Sequence, residues 1–399
     1  MTRILLSVIA MILFIELSPR VEARDRWTAP EATAWYQRQP WLVGVNYIPA
    51  TAVNTLEMWQ AETFDPVTID TELGWAQSAG INSIRVFLHH LLWEQDADGY
   101  KKRIDRLLGI AHGHGIKVML VLFDSCFDPE PHLGPQSPPM PGVFTTRWVQ
   151  GPGRDRLEDA SHYPQLEHYV HDVVSSFAKD PRILAWDVWN EPPPRAEPLS
   201  LQHPPPPGSP AALLRMEERD SPNKSELTRR LLEKAFAWAR AANPTQPLTS
   251  GIFDATHTWA PPDLTPVERL QIENSDVISF HSYSPPKVFE QQAQFLKGYG
   301  RPVLCTEYLS RPDGSTVEAI LPLGKRLDIG MFNWGLVDGR MQTKFPFDSW
   351  LKPYTGEPPL WKHDLLHSDG TPYRMHEVKL IETLSSAPRH TVPKTEKPQ

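Results

Sequence analysis

The sequence predicts an α/β fold: a single (β/α)8 TIM barrel with long loops on the rim at the C-terminal ends of its strands. Three observations predict it. Strand-like and helix-like segments alternate along the chain, which implies a parallel sheet. Eight strand-like runs can be counted, the number that closes such a barrel. The first run carries Gly44-Val45-Asn46-Tyr47, not the glycine-rich turn that an open doubly wound sheet usually shows there.

Residues 41–47 (WLVGVNY) are short, apolar and preceded by a proline. Residues 68–78 read as a helix ending at Gly80, and residues 82–88 (NSIRVFL) as the second strand. Over 100–114, Ile104, Leu107, Leu108 and Ala111 recur at helical spacing, and Gly115 closes the segment as a left-handed cap. Residues 116–123 (IKVMLVLF) are continuously apolar, the mark of a strand buried on both faces. A helix over 165–179 leads to the fourth strand, the run from Ile183 through Trp189-Asn190-Glu191. The second half repeats the pattern, with a strong helix over 226–242 and strands over 247–253 (PLTSGIF) and 277–283 (VISFHSY). A helix over 288–297, a strand over 303–307, a helix over 317–327 and the last strand over 330–336 (GMFNWGL) follow, and a helix over 373–384 closes the chain. There is no internal repeat.

Three loops are long: 124–163, rich in Pro and Gly; 192–224, with prolines 204 to 207 in a run; and 337–369, with Trp350, Tyr354 and Trp361. Loops of this length are usually functional or disordered. All three follow strands, so all belong to one rim. The aromatic first and third are expected to wall a cleft, the second to be a partly ordered excursion.

The ends and the composition bound the rest. Residues 1–23 read as a signal peptide: Arg3 gives the positive start, 4–17 is mostly apolar, and Val21-Glu22-Ala23 fits a cleavage site. The apolar stretch is broken by Glu16 and is short for a membrane span, so an uncleaved anchor is the weaker alternative. The expectation is a secreted or periplasmic monomer with no stable membrane insertion after processing. Residues 24–385 would be the catalytic domain and 386–399 a polar, disordered tail. The chain of 399 residues is 40% hydrophobic and can bury a large core. A net charge of −8 gives no basic field for nucleic acid. Fourteen tryptophans are enough for both core and sugar-stacking platforms. Cys126 and Cys305 end different strands, and two cysteines make no framework, so two free, buried thiols are expected.

Two strands end in glutamates, Glu191 and Glu307, far enough apart in sequence for further β-α units between them. Hydrolysis of a glycosidic bond needs two facing carboxyl groups, one protonated and one ionised. Glu191 closes an apolar, tryptophan-lined strand that would raise its pKa and suit a general acid; the alternative is a glutamate capping the next helix. Glu307 as nucleophile needs donors. Arg85 is a charge in an apolar strand and must be paired, either with a carboxylate on the same rim or at the outer edge. His281 and Tyr283 are two apart and face one side; His281 is equally readable as a satisfied core histidine. Asn190 adjoins the acid and can donate to a sugar hydroxyl. Trp334 offers a face to a pyranose ring or fills the core. No metal or cofactor is expected, because His257, His281 and Asp254 lack tight ligand spacing.

This set resembles the retaining (β/α)8 glycosidases of clan A, and most closely glycoside hydrolase family 5, the cellulase–mannanase family. Trp189-Asn190-Glu191-Pro192 is similar to that family's fourth-strand Asn-Glu-Pro motif, which implies Glu191 as acid/base. Thr306-Glu307 resembles the seventh-strand nucleophile, Arg85 the second-strand arginine, His281-Ser282-Tyr283 the sixth-strand His-x-Tyr and Trp334 the eighth-strand tryptophan. The resemblance implies a retaining hydrolase of a β-linked poly- or oligosaccharide acting by double displacement without a cofactor. A non-catalytic carbohydrate-binding barrel is the alternative, and a metal-dependent barrel hydrolase a third. One departure stands out. Many members end the third strand with a histidine, whereas this chain has Phe123-Asp124-Ser125-Cys126, and His89 and His90 are the candidates to fill that space.

Overall fold

The computed structural model describes residues 23–193, 207–214, 223–253 and 264–389. The expected leader up to residue 22, most of the second long loop, Asp254, His257 and the tail from residue 390 lie outside the described residues.

Eight strands form one parallel sheet: β1 (Val43–Asn46), β2 (Ser83–Phe87), β3 (Lys117–Val121), β4 (Ile183–Asp187), β5 (Leu248–Thr249), β6 (Ile278–His281), β7 (Val303–Tyr308) and β8 (Gly330–Trp334). Their order is β5-β4-β3-β2-β1-β8-β7-β6, each in parallel register with its neighbours. The remaining seam is closed by one bridge: Ile252 N–H donates to the Ser279 carbonyl (3.0 Å) and His281 N–H to that of Ile252 (2.9 Å). The result is a nearly closed (β/α)8 barrel.

A helix follows each strand: Pro66–Ser78, His90–Gly113, Tyr163–Ser176, Lys224–Ala241, Pro266–Asn274, Pro286–Lys297, Val317–Arg326 and Met375–Ser386. Their apolar stripes pack on the outward side chains of the strands and make the main core, which includes Ile84, Val86, Val118, Leu120, Trp186 and Ile278. Inward side chains make a second, smaller core at the bottom of the barrel, with Leu42, Met119, Ala185, Leu304 and Phe332. The helix Ala29–Gln37 seals that end with Ala32, Trp35 and Tyr36. It is strapped on by Arg24, which pairs with Asp276 (2.5 Å), and by Arg389, which pairs with Asp328 (2.6 Å) and donates to the Tyr36 carbonyl (2.6 Å). Arg389 lies within the segment assigned from sequence to the tail. Above the apolar layer the interior turns polar, and Arg85, Asp187 and Glu307 stand there.

Besides three of four or five residues, two nine-residue helices escaped the sequence reading, Ala29–Gln37 and Pro266–Asn274. Each opens with a capping box, Thr28 with Glu31 and Thr265 with Glu268, followed by a proline in the first turn. The helix expected over 100–114 begins already at His90, with a break at Asp96 (φ −158°, ψ 78°). Among the described residues no helix is long and apolar enough to cross a membrane.

The bottom layer of the barrel has no slack at Gly44. A Cβ there would stand 2.2 Å from the Phe332 ring. Gly44→Ala should therefore lower the urea unfolding midpoint, by about 1–3 kcal/mol of stability as for other overpacked cores. Phe332→Leu in the same chain should restore most of it; an unchanged midpoint in the single variant would show that the layer can yield.

Candidate active site

Arg85 is the centre of the rim. It sits at the middle of β2, points inward and is fully buried. A buried guanidinium has five N–H groups to satisfy. Its Nε and Nη2 donate to Oδ2 of Asp187 (3.0 and 2.8 Å), Nη1 to Oδ1 of Asn46 (2.7 Å) and Oε1 of Glu307 (2.8 Å), and Nη2 to Oδ1 of Asn190 (2.7 Å). One side chain thus ties β1, β4, β7 and the residues just past β4 into a fixed array.

Glu307 is held at both oxygens. Arg85 donates to Oε1 and the Tyr283 hydroxyl to Oε2 (2.5 Å). Glu191 has weaker donors. Its Oε2 accepts from the Cys126 thiol (3.2 Å), and its Oε1 shares a 2.7 Å hydrogen bond with Nδ1 of His281. Glu191 also has a left-handed backbone (φ 44°), a conformation that costs a non-glycine residue about 1–3 kcal/mol. That turn, made just after the strand and before Pro192, aims its side chain at the mouth. One ligating atom each of Glu191, His281 and Glu307 lie within 4.8 Å of one another, so the two carboxyls share a single small space. The His281 ring fits there because residue 251 is glycine: a Cβ would stand 2.8 Å from Nε2.

Burial pushes the Glu191 carboxyl up to about 7, against the pull of the Cys126 hydrogen bond and Arg85. Burial also raises Glu307, with Glu191 adding to the rise, while His281, Arg85 and Tyr283 oppose it. Of the two, Glu307 has the stronger donors to its ionised form and loses its proton first. Burial lowers His281 to about 4, so the ring is neutral at neutral pH. Tyr283 is held well above its ordinary value, by burial and then by Glu307, and stays a donor. Asp124 is raised by burial to about 6; Asn190 donates to its Oδ1 (2.7 Å) and Trp148 Nε1 to its Oδ2.

Six of the residues picked from sequence, Arg85, Asn190, Glu191, His281, Tyr283 and Glu307, therefore meet in one hydrogen-bonded cluster. Trp334 stands to one side, half-buried, edge-on to Phe87 (5.7 Å) and Trp148 (6.0 Å). Sequence reasoning missed Asn46, Asp124, Cys126, Trp148 and Asp187. Asp187 carried the same signal as Arg85, an acid inside an apolar strand. Cys126 and Trp148 lie on the loop after β3 and carried none. The histidines proposed for the empty third-strand position do not fill it. His89 bonds the Gln150 carbonyl through Nε2 (2.9 Å) and caps the next helix through Nδ1, and His90 stacks on it. Both are buried, and Cys126 takes the place beside Glu191. Both cysteines are free, with Cys305 buried and Cys126 only half-buried. Of the aromatic residues in the two long loops, Trp350 and Trp361 are buried, and Trp148 is the one that reaches Trp334.

By spacing, Glu191, His281 and Glu307 could ligate a metal ion. Arg85 and Tyr283 already engage both Glu307 oxygens, however, so a cation would have to displace a buried guanidinium. The other group with such spacing among the described residues, Glu318, His376 and Glu377, is split, since Glu377 receives Nε of Arg311 (2.8 Å). What the rim offers chemically is two carboxyl groups with unequal hydrogen-bond donors, facing one small space beside an aromatic surface.

Solved structures with this architecture include GH5_18 from Streptomyces cattleya in complex with GlcNAc (16% identity, 87% of this chain and 80% of that one, TM-score 0.53). The exo-beta-1,4-mannosidase Op5Man5 from Opitutaceae bacterium strain TAV5 is 18% identical over 86% of this chain and 59% of its own, with TM-score 0.52. GH5_18 from Bifidobacterium longum subsp. infantis is 14% identical over 88% and 80%, with TM-score 0.53. At these identities the likeness is one of fold. No curated protein matches the chain. The family model Cellulase (glycosyl hydrolase family 5) matches residues 48–336, a span that runs from the end of β1 past Trp334 and contains both glutamates. The chain belongs to glycosyl hydrolase family 5 and is a glycosyl hydrolase.

Proposed function

We propose that this glycosyl hydrolase cleaves β-linked glycosides with retention, with Glu307 as nucleophile and Glu191 as acid/base. The observation that carries it is the pair itself. Carboxyls about 5–5.5 Å apart suit retention, whereas inversion needs roughly 6.5–9.5 Å to admit a water. Here the carboxylate oxygens approach within 4.8 Å. The family's description as cellulase supports the β-linkage.

In the first step an Oε of Glu307 bonds to the anomeric carbon, the glycosidic C–O bond breaks, and the leaving oxygen takes the proton of Glu191. In the second, Glu191, now ionised, takes a proton from water. The water oxygen bonds the anomeric carbon as the Glu307 ester bond breaks, and both glutamates return to their starting states. Arg85 and Tyr283 keep Glu307 charged and aimed. Neutral His281 steadies Glu191 in either state, because its short contact can carry the proton on either side. We further place the processed chain outside the cytoplasm, on the strength of the charged and apolar N-terminal pattern; N-terminal sequencing of exported protein checks this.

A 2-deoxy-2-fluoro aryl β-glycoside should trap the ester, with the added mass on the peptide carrying Glu307. Glu307→Gln should show no adduct and lose turnover on the order of a thousandfold or more, the scale at which removing a covalent-catalysis residue acts. An adduct elsewhere, or a fully active variant, contradicts the assignment. Glu191→Ala should keep its first step with a dinitrophenyl leaving group, which needs no proton, and lose it with a sugar leaving group.

The pH profile of kcat/KM should be bell-shaped. Its alkaline limb should fall through about 7, because Glu191 must hold its proton and releases it as pH rises. The Cys126 thiol favours the ionised form of Glu191, so Cys126→Ala should move that limb to higher pH. An unmoved limb would show that the thiol only fills space.

A further inference from the structure

The loops after β3 and β8 are fused. Those strands are separated in the barrel by β2 and β1, so the loops meet above the tops of both. Gly142 N–H donates to Oε1 of Gln342 (3.0 Å), and Gln342 Nε2 returns a bond to the Met140 carbonyl (2.8 Å). Phe144 N–H donates to the Ser349 hydroxyl (3.0 Å), Thr145 N–H to the Met341 carbonyl (3.1 Å), and Tyr354 N–H to that of Gly142 (3.0 Å). Val143, Phe144, Phe345 and Trp350 give the junction a core of its own. The loop after β1 is bound in as well: Arg340 N–H donates to the Ala50 carbonyl (2.9 Å), and Asn54 Nδ2 to that of Arg147 (2.8 Å). Three loops bonded to one another on this scale form a fixed wall, not a lid.

The wall stands directly beside Trp334. Phe87, Trp148 and Met341 are each 3–4% exposed and pack together below the junction, with Trp334 against them. Phe87 also lies over the Arg85 guanidinium, 4.9 Å from its ring centre. The space left between these side chains and the loops after β1 and β8 is about 20 Å³. Enclosed space of that size is on the scale of a single water, which needs about 10–15 Å³.

The direction of the substrate follows from the chemistry. On the retaining reading, a ring attacked by Glu307 of β7 would rest against Trp334 of the neighbouring β8. Its leaving group departs toward the proton of Glu191, past β4 on the opposite side of the mouth. The non-reducing side of the attacked ring therefore points at the wall.

We propose that this wall limits the glycone to one sugar residue, so that the enzyme acts on chain ends and removes single sugars from the non-reducing termini of β-linked oligosaccharides. The proposal rests on the retaining glycosidase reading above. The test uses the whole enzyme. Gluco-, manno- and xylo-configured aryl β-glycosides first identify the sugar. The matching β-linked tetrasaccharide, labelled at its reducing end, and the matching polysaccharide are then digested, with Glu307→Gln as control. Monosaccharide as the sole early product, with a labelled trisaccharide remaining and no loss of polysaccharide viscosity, is the expected result. Early disaccharide or a fast fall in viscosity, absent in the Glu307→Gln control, overturns the chain-end proposal and leaves the retaining glycosidase reading intact. Turnover that survives in the control overturns both.

Discussion

A single buried guanidinium has to satisfy more acid than it can neutralise, and the site follows from that imbalance. Arg85 contacts two carboxylates, Asp187 and Glu307, and the Asn190 amide that it also holds leads on to Asp124. Glu191 stands in the same small space. One positive charge cannot support four ionised acids in a region largely shielded from water. The acids with the best donors keep the charge, and the one with the poorest keeps a proton. Glu191, with a thiol and a neutral imidazole for company, is that one. The division of labour between the two glutamates is thus a consequence of hydrogen-bond supply.

The barrel makes this arrangement possible at little cost in design. Its lower interior is apolar and tightly filled, and the charged cluster around Arg85 stands above it. Its parallel strands all finish there, so side chains far apart in sequence arrive on one rim. Arg85 in turn spans the mouth from β2 to β7, and removing it would leave buried acids unpaired, a loss of about 3–5 kcal/mol for a broken buried pair. The loops add what the strands cannot. The one after β3 contributes Cys126 to the acid and Trp148 to the wall, and its bonds to the loop after β8 fix where the cleft ends.

Much of this was legible in the chain. Strand number and type followed from the alternation of apolar runs and helical spacing, and Arg85 declared itself as a charge where none should be unpaired. Glu191 and Glu307 were legible because each ends such a run. Asp187 carried the same signal and was overlooked among tryptophans. The helices Ala29–Gln37 and Pro266–Asn274 carried a readable start signal in their capping boxes and were missed for want of a long apolar stripe. Other features were not legible at all. Which of His89, His90 or Cys126 reaches Glu191 depends on how the chain bends after its last ladder bond, and no local periodicity reports that. The burial of Trp350 and Trp361 depends on two loops meeting above strands that intervene between them.

The roles of the two glutamates depend on the order in which they lose their protons. Carboxyl carbon-13 NMR of selectively labelled enzyme, titrated across the acid and neutral range and assigned with the Glu191→Gln and Glu307→Gln variants, measures that order directly. Glu307 is expected to ionise at lower pH than Glu191, with Glu191 still half-protonated near 7. If Glu191 ionises first, the supply of donors around Arg85 does not set the roles, and the account is wrong at its base.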